Sequence, residues 1–469
     1  MHRYALKKKW FIAVIGWMVC AAAVALLITP LLNSHAATAS ANQSPGSWPQ
    51  YMYDVTHRGN NPDETILNTS NVSSLTVKWK FPVKGHLPAE PVVVNGVVYE
   101  GSVGGYAYAI NATTGTKIWK TFLGTFTSST CTHYNRGVSG TAAVDNGTVY
   151  IAAGNIFYAL RASDGAILWQ KTLGTSGTTN DMMWGGITVA NGKAYIGIAS
   201  LCDNPLTQGM LYALNTTTGN VDAQFAVVPD GTVGGGIWST PTVDAATGTV
   251  IVTTGSIEKN PPIEPMTAAV VTLDWNTLAV KQFWQVPASQ RNADADWGSS
   301  PTLFPGPNSK TYFGCINKNS IYYVFDEANV SAGPVWQVKL GPGGNKGGIT
   351  GSFGSSAYVN GVLYVPTSLA TVNGTSYPGS IGAYDALTGN QLWRFGTAGS
   401  IVNSVVTANG LLFDSQGKTM EIRAIGSGNV LFSYTPSTTH PLQGIVTVLD
   451  GVVYLPAYDG NLYALGLPS

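Results

Sequence analysis

The sequence predicts an all-β protein: a closed ring of eight four-stranded antiparallel sheets, an eight-bladed β-propeller. Three observations carry this prediction: the composition, an internal repeat, and a last copy of that repeat that lacks one strand. Only 10% of the 469 residues are charged, whereas Gly numbers 55 and aromatic residues reach 10%. Such a composition favours strands and tight turns over exposed helices. The hydrophobic content of 44% can bury a large core, which excludes a disordered chain.

Residues 1–36 form a separate targeting segment. Three consecutive lysines precede an uncharged apolar stretch over residues 10–32, and the Ser-His-Ala at residues 34–36 fits a small-x-small cleavage site. This order is typical of an export signal. The apolar stretch is also long enough to span a bilayer, so an uncleaved membrane anchor is the alternative. In either case we expect the remaining chain to be extracytoplasmic and to meet the membrane only through this segment.

Charge and cysteine content narrow the classes of function. Lys plus Arg and Asp plus Glu both number 24, so no excess of cations attracts a nucleic acid. Beyond the targeting segment the cysteines are Cys131, Cys202 and Cys315, an odd number that permits one disulfide and leaves one free thiol. Their spacing contains neither CxxC nor CxxCH. The sequence therefore excludes a structural zinc site and a covalently attached c-type haem.

Residues 75–469 are a repeat, preceded by an N-terminal segment over residues 37–74. Each copy reads as an apolar strand, a turn at Asn-Gly or a similar pair, a second strand ending in Tyr, a third strand, and a Thr-Gly turn before a fourth strand with Trp. We expect the Thr-Gly pair to supply a positive-φ turn between the third and fourth strands, and each Trp to pack between neighbouring blades. The fourth-strand aromatic residues are Trp119, Trp169, Trp284, Trp336, Trp393 and Phe432.

The two ends of the chain complete each other. The last copy stops after the strand around Tyr463, while the stretch around Trp79 has the fourth-strand pattern with no strands before it. Joining the two closes the ring and removes an exposed sheet edge. The aromatic markers Tyr99 and Tyr454 lie seven copies apart, at about 51 residues per copy, which is within the range of propeller repeats. The sequence therefore predicts eight blades in one domain.

The repeat resembles that of a known family. Its Ala-Leu-x3-Thr-Gly-x3-Trp copies are similar to the tryptophan-docking repeats of the eight-bladed quinoprotein dehydrogenases, which bind pyrroloquinoline quinone (PQQ). The altered loops resemble the polyvinyl-alcohol-dehydrogenase-like branch, here without its haem module. The opening Trp48-Pro49, followed by Tyr53-Asp54, resembles that family's first segment. Cofactor-free propellers such as the outer-membrane assembly lipoprotein BamB carry the same repeats, so the repeat implies the fold, and the irregular segments must decide the activity.

Two irregular segments resemble the family's quinone-binding loops. Arg136, within an Asn-Arg-Gly triplet, matches the residue that contacts the quinone in the family. Cys131 matches the second of two adjacent cysteines that form a disulfide ring over PQQ there, but Thr130 replaces the first, so that ring cannot form. Trp238 follows a run of glycines and resembles the aromatic floor beneath the flat cofactor, a role that suits an indole plane.

Asp296 and Lys318 complete the implied quinone site. Asp296 resembles the family's catalytic Asp, and the resemblance implies a base that takes the proton of an alcohol. Lys318 stands where the family has a basic residue that contacts PQQ. With Arg136 and Trp238 they imply an oxidoreductase that acts on an alcohol, small or polymeric, with the cofactor supplying the chemistry.

The calcium site that accompanies PQQ in the family is altered here. The matching positions are Asp203 and Asn204, shifted by an apparent insertion, and Ser256. Calcium takes roughly six to eight oxygen ligands, and Ser is a poor substitute for an amide oxygen. We therefore expect weak calcium binding at Asp203, Asn204 and Ser256, and slow or absent turnover even where PQQ binds.

A function of another class remains open from the residues alone. Arg136, Trp238, Asp296 and Lys318 each also fit an ordinary structural role in an ion pair, a turn or the blade core. The alternative is a non-catalytic, BamB-like propeller that binds proteins or a cell-surface polymer on its blade loops. We expect a monomer in either case. We also expect Cys131 to pair with Cys202, since both lie in irregular segments beside blades, and Cys315 to be buried and free.

Overall fold

The computed structural model describes residues 46–127, 136–174, 180–203, 205–255, 263–291, 295–344 and 351–468. All of them belong to one compact unit, Ser40–Ser469. The predicted targeting segment and four of the residues singled out above, Thr130, Cys131, Asn204 and Ser256, lie outside these ranges. Within these ranges, no helix combines the length and the apolar character needed to span a bilayer.

Eight four-stranded antiparallel sheets form a ring, which confirms the predicted eight-bladed β-propeller. We number the blades 1 to 8 in chain order and give the strands of each from the centre outward. The strands are Val92–Val94, Val97–Gly101, Tyr106–Asn111 and Lys117–Phe122 in blade 1; Ala143–Asp145, Thr148–Ala153, Ile156–Arg161 and Ile167–Thr172 in blade 2; Thr188–Ala190, Lys193–Ser200, Met210–Asn215 and Val221–Ala226 in blade 3; Thr242–Asp244, Thr249–Thr253, Ala269–Asp274 and Val280–Gln285 in blade 4; Thr302–Pro305, Thr311–Ile316, Ile321–Asp326 and Trp336–Lys339 in blade 5; Ala357–Val359, Val362–Val372, Thr375–Asp385 and Gln391–Thr397 in blade 6; Val406–Ala408, Leu411–Gln416, Thr419–Ala424 and Val430–Tyr434 in blade 7; and Thr447–Leu449, Val452–Pro456, Asn461–Gly466 and Thr76–Pro82 in blade 8.

Short elements lie outside this pattern. Two further strands, Asn60–Asn61 and Asp181–Met182, pair with blades 7 and 3. The described residues also contain short 3-10 helices at Val72–Ser74, Ala288–Gln290, Pro307–Ser309 and Glu327–Ala332.

The ring closes between the two ends of the chain, as predicted. Thr76–Pro82 pairs antiparallel with Asn461–Gly466, with Trp79 opposite Ala464, and forms the outer strand of blade 8. The last copy of the repeat therefore receives its fourth strand from the start of the propeller. Closure removes the free sheet edge that an open ring would expose.

The Asn-Gly pairs form tight turns between the first and second strands. Asn95 and Gly96 have φ values of 52° and 73°. Two consecutive positive φ values are typical of a type I′ turn, whose twist matches that of the strands it joins. The same pattern recurs at Asn146-Gly147, Asn191-Gly192, Asn360-Gly361, Asn409-Gly410 and Asp450-Gly451.

Outer-strand tryptophans join neighbouring blades, as predicted. The indole Nε1 of Trp119 donates a hydrogen bond to the carbonyl oxygen of Ala162 in the next blade at 2.8 Å. Gly165 lies against the same ring, where an added Cβ would be 2.5 Å from the indole, so only glycine fits. Four other tryptophans donate in the same way: Trp79 to Ala112, Trp169 to Thr216, Trp336 to Ala386 and Trp393 to Ile425.

Blade 4 makes this junction with a different residue. In other blades the docking tryptophan directly follows a bulge in the outer strand, and in blade 4 this position is taken by Gln282, which pairs with Thr272. The Nε2 of Gln282 donates to the carbonyl oxygen of Ala328 at 3.0 Å. Trp284 lies two residues later and packs on Tyr323 of blade 5, with the ring centroids 5.3 Å apart. The amide of Gln282 thus replaces the indole N–H, while Trp284 still fills the space between the blades.

Residues 48–61 run around the inside of the ring and bond to each blade in turn. Trp48 exchanges two backbone hydrogen bonds with Val93 of blade 1, and the carbonyl oxygen of Val55 accepts from the N–H of Val243 in blade 4 at 2.8 Å. The innermost strands would otherwise present unpaired backbone groups to the centre of the ring. The other contacts join Pro49 to Val144, Gln50 to Val189, Thr56 to Leu303, Arg58 to Tyr358, Gly59 to Thr407 and Asn61 to Val448, in blades 2, 3, 5, 6, 7 and 8.

Candidate functional site

The chain reversals place the candidate residues on one face of the ring. Because the strands of a blade alternate in direction, the loop between its second and third strands and the connection to the next blade emerge on the same face. Arg136, Trp238 and Asp296 lie in connections between blades, and Asp203 and Lys318 lie between second and third strands. We call this face of the propeller the site face.

Trp238, Asp296 and Lys318 form one contact cluster on the site face. The Lys318 ammonium lies 4.9 Å from the centroid of the Trp238 ring and 3.3 Å from Oδ2 of Asp296. The backbone N–H of Lys318 also donates to the carbonyl oxygen of Asp296 at 3.0 Å. The side chains of Asp296 and Lys318 are only 8% and 11% exposed. Their attraction is therefore less screened by water than that of a surface ion pair.

Glycines make room for this cluster. A Cβ on Gly298 would clash with the ring of Trp238, and a Cβ on Gly255 would lie 2.9 Å from Oδ1 of Asp296 and 3.1 Å from Nε1 of Trp238. Phe353 packs against the indole at a centroid distance of 5.7 Å. Trp238 is thereby held in place while remaining half-buried, so part of its ring stays open for stacking.

Arg136 lies in a second cluster on the same face. Its Nη1 is 3.4 Å from Nε2 of His86, and its guanidinium carbon is 5.1 Å from the centroid of the Trp184 ring. His86 stacks on Tyr458 with a centroid distance of 4.0 Å, and Tyr458 stacks in turn on His440 at 4.5 Å. The cluster joins five loops. His440 lies in the connection from blade 7 to blade 8, and Tyr458 lies in a loop of blade 8. His86, Arg136 and Trp184 lie in the connections that lead into blades 1, 2 and 3.

The electrostatics of the second cluster centre on Arg136. Burial, and then the charges of Arg136 and His440, lower the pKa of His86 from 6.5 to about 4. The His86 imidazole is therefore neutral near pH 7 and can contact the guanidinium without repelling it. Arg136 and Lys318 thus place positive charge at two points of the site face, each beside a half-buried indole.

Sequence reasoning missed Trp184, His86 and Tyr458. Trp184 has the same position in its connection as Trp238 has in the next one, and this position could have revealed it. Trp184 directly precedes Gly185 and Trp238 directly precedes Ser239, and Gly185 and Ser239 are neighbours, since a Cβ on Gly185 would touch the Ser239 carbonyl. Nothing in the repeat marks His86 or Tyr458. They come from loops at opposite ends of the chain, and only ring closure brings them together.

The predicted calcium ligands are described only in part. Asp203 is exposed, has a φ of 57°, and accepts a hydrogen bond from Oγ of Ser200 at 2.6 Å, as a turn residue does. Asn204 and Ser256 lie outside the described residues. In the described part of the chain, no three His, Cys, Asp or Glu side chains come together as a metal ion would require. The weak calcium site stays a prediction.

The cysteines follow the predicted division as far as the structure describes them. Cys315 is buried and free, and burial raises the pKa of its thiol well above the usual range. Cys202 is bonded in a disulfide. Its predicted partner, Cys131, lies outside the described residues, so that pairing stays a prediction.

The described residues include groups that suit a flat anionic cofactor. Trp238 offers an aromatic plane, and Arg136 and Lys318 offer cations for the carboxylates of PQQ. The Trp238 cluster thus offers features that suit PQQ, and Arg136 adds a second cation in the other cluster of the same face. Two of the predicted calcium ligands, Asn204 and Ser256, lie outside the described residues.

The fold and the comparisons together define a class: the chain is a β-propeller of PQQ-like repeats, similar to the quinoprotein alcohol dehydrogenases. Residues 71–258 and 378–467 match the family model described as outer membrane protein assembly factor BamB, and the chain belongs to that family of repeat proteins.

The similar proteins include dehydrogenases and BamB. A polyvinylalcohol dehydrogenase from Sphingopyxis sp. (strain 113P3) is 26% identical over 376 residues, which cover 70% of this chain and 56% of that protein. This chain thus spans little more than half the length of that relative. A europium-containing methanol dehydrogenase superposes with a TM-score of 0.76 at 16% identity, covering 91% of this chain and 99% of that one. BamB from Moraxella catarrhalis superposes with a TM-score of 0.58 at 14% identity, covering 84% and 99%. At these identities the two structures show the fold alone.

Proposed function

We propose that this chain is a quinoprotein alcohol dehydrogenase-like oxidoreductase that binds PQQ on the site face and oxidises a small or polymeric alcohol. The observation that carries the proposal is the contact cluster of Trp238, Asp296 and Lys318, which holds an aromatic plane, a carboxylate and a cation within reach of one another. The similarity to two polyvinylalcohol dehydrogenases supports an alcohol as the substrate class.

Each residue of the site has a defined part in this proposal. PQQ, when bound, supplies the oxidising power that no protein side chain has. The Trp238 indole supports its ring, and Lys318 and Arg136 attract its carboxylates. Asp296 accepts the hydroxyl proton of the alcohol as a general base. Calcium, if it binds, is held weakly through Asp203, Asn204 and Ser256.

A dye-linked assay tests the activity. We expect slow, PQQ-dependent dye reduction with primary or secondary alcohols or with polyvinyl alcohol, and a loss of about 100-fold or more in Asp296→Asn, because the base is removed. The matched control is Asp164→Asn, an exposed carboxylate in a turn on the opposite face. Circular dichroism shows whether each variant is folded. A wild-type chain that reduces no dye with any of these alcohols contradicts the proposal.

A non-catalytic propeller is the second candidate, and one feature favours it. The hairpin of blade 6 has strands of 11 residues, Val362–Val372 and Thr375–Asp385, which carry its tip beyond the site face. Leu369 and Tyr377 are exposed there, as on a surface that docks a partner. Under this alternative, purified cell-wall polymer would co-sediment with the chain without PQQ, and shortening the hairpin would abolish the co-sedimentation without lowering the melting temperature.

We also propose that the propeller is extracytoplasmic, exported or anchored by residues 1–36. The disulfide at Cys202 supports this location, because disulfides persist in oxidising compartments. A C-terminal alkaline phosphatase fusion should be active in bacteria and should lose that activity when residues 1–36 are deleted. Equal activity of both fusions would contradict the proposal.

A further inference from the structure

A tyrosine of the third strand fills the space between adjacent blades at several junctions. The hydroxyl of Tyr158 in blade 2 donates to the carbonyl oxygen of Leu123 at 2.6 Å, and the backbone N–H of Lys84 donates to the hydroxyl of Tyr108 in blade 1 at 3.0 Å. Tyr212 has the same strand position in blade 3. In blades 1 and 2 the tyrosine side chain reaches the segment that follows the outer strand of the preceding blade.

Blade 7 has Glu421 where these blades have tyrosine. Glu421 directly precedes Ile422, which pairs with the outer-strand Phe432, just as Tyr158 directly precedes Ala159. A carboxylate is smaller than a phenol ring, and a cleft of about 350 Å³ lies here between blades 6 and 7. Its lining includes Phe395, Thr397, Gln416, Glu421, Arg423 and Asn429.

A buried ion cluster backs this cleft. Nε of Arg423 lies 2.7 Å from Oδ2 of Asp414, and the same guanidinium contacts the carboxylate of Glu421. The equivalents of Arg423 and Asp414 in blade 2 are the buried Leu160 and Ile151. Burying an ion cluster in place of apolar side chains does not by itself gain stability, so the exchange indicates a role for the charges.

Asp414 is fully buried behind the cleft and is not part of its lining. Burial raises the pKa of Asp414 to about 6 in spite of Arg423, and Oδ1 of Asp414 is buried without a hydrogen-bond partner among the described residues. A buried atom without a partner is costly, which adds to the cost of the ion cluster. Two carboxylates beside one guanidinium also make the cleft unfavourable for anions.

We propose that the cleft between blades 6 and 7 binds a neutral, polyhydroxylated ring of monosaccharide size. Its volume is within the range of small-molecule sites. The ligand ring would take the place of the missing tyrosine beside Phe395, a residue that is 40% exposed. Gln416, Glu421 and Arg423 would supply acceptors and donors for its hydroxyl groups. This proposal is independent of the PQQ site, since its residues belong to the sides of blades 6 and 7.

Sugar titration of the full chain tests the proposal. Saturation-transfer difference NMR with glucose, galactose and N-acetylglucosamine should give a saturable signal for at least one sugar at millimolar concentration. Glu421→Tyr should abolish the signal, because it restores the ring that fills this space in blades 1 and 2. Asp164→Tyr, at an exposed carboxylate of blade 2, should leave the signal unchanged.

A second variant keeps the test valid if Glu421→Tyr misfolds. Gln416→Ala should weaken the binding about tenfold, the effect of losing one or two hydrogen bonds, even if Glu421→Tyr does not fold. The absence of a saturable signal for all three sugars would overturn the proposal. A signal that both variants retain would also overturn it, as would saturable binding of inorganic phosphate in the same cleft.

Discussion

At the scale of single residues, the site face depends on a few charged side chains that are held by partners. Asp296 and Lys318 are nearly buried and contact each other through both backbone and side chain. Removing one partner of such a pair leaves the other charge buried without a partner, whereas removing both lowers the stability much less. The resemblance named these two residues from the sequence, but their mutual contact could not be predicted, because it depends on how the loops of blades 4 and 5 meet.

A double-mutant cycle tests this pair. We expect Asp296→Asn and Lys318→Met each to lower the free energy of unfolding by about 3 kcal/mol, and the double variant to lower it by much less than their sum. Urea denaturation of the four proteins measures the coupling. Additive effects would show that the two side chains do not interact.

His57 gives a prediction for pH dependence. It is fully buried inside the ring, with Nδ1 2.9 Å from Oγ1 of Thr242, and burial lowers its pKa from 6.5 to about 3. Between pH 6.5 and about pH 3, the unfolded chain therefore binds a proton at His57 that the folded chain does not bind. The stability that depends on neutral His57 is complete above pH 6.5 and falls, by up to about 1.4 kcal/mol per pH unit, as the pH drops towards 3.

Substitution isolates this term from other titrating groups. The free energy of unfolding should fall less steeply between pH 6 and pH 4 in His57→Gln than in the wild type, as measured by urea denaturation. Parallel curves for the two proteins would mean that His57 is not the group responsible.

At the scale of strands and turns, the sequence predicts what local chemistry dictates. The turns at Asn-Gly, the positive φ of the glycine in the Thr-Gly turns, and the packing of outer-strand tryptophans between blades are confirmed. The exception is the outer strand of blade 4, where a bulge brings Gln282 to the docking position instead of Trp284. The position of a bulge depends on pairing with a neighbouring strand, so the spacing of aromatic residues alone could not locate it.

The junctions between blades give a prediction at this scale. Trp119→Phe keeps the ring but loses the indole hydrogen bond, and Gln282→Ala loses the equivalent amide bond. We expect each change to lower the free energy of unfolding by about 1 kcal/mol. Trp275→Phe, at a half-buried tryptophan in a turn of blade 4 on the opposite face, should have a smaller effect. If Gln282→Ala leaves the stability unchanged, the assignment of Gln282 to the junction is wrong.

At the scale of the whole molecule, the two chain ends determine the ring. The missing fourth strand of the last copy was sufficient to predict closure by the stretch around Trp79. The path of residues 48–61 could not be predicted, since this segment has no strand periodicity and bonds to blades spread over the entire chain. The clustering of His86, Arg136 and Tyr458 on the site face is a consequence of the same closure.

Deleting residues 37–61 should destabilise the whole ring. The innermost strands would lose backbone hydrogen bonds in every blade, and we expect the melting temperature to fall by roughly 10 °C or more. Calorimetry of this variant, with a chain that lacks only residues 1–36 as the control, measures the effect. An unchanged melting temperature would show that the segment does not hold the blades together.

The most direct test of the proposed function is a titration with PQQ followed by tryptophan fluorescence, with and without calcium. The site predicts saturable quenching that Trp238→Ala abolishes, that Lys318→Met weakens, and that Trp275→Phe retains. Because the sequence has Ser256 in place of an amide ligand and a shifted Asp203-Asn204 pair, calcium should change the affinity only slightly. No saturable quenching at high PQQ concentration, with or without calcium, would contradict the quinoprotein proposal and favour the non-catalytic propeller.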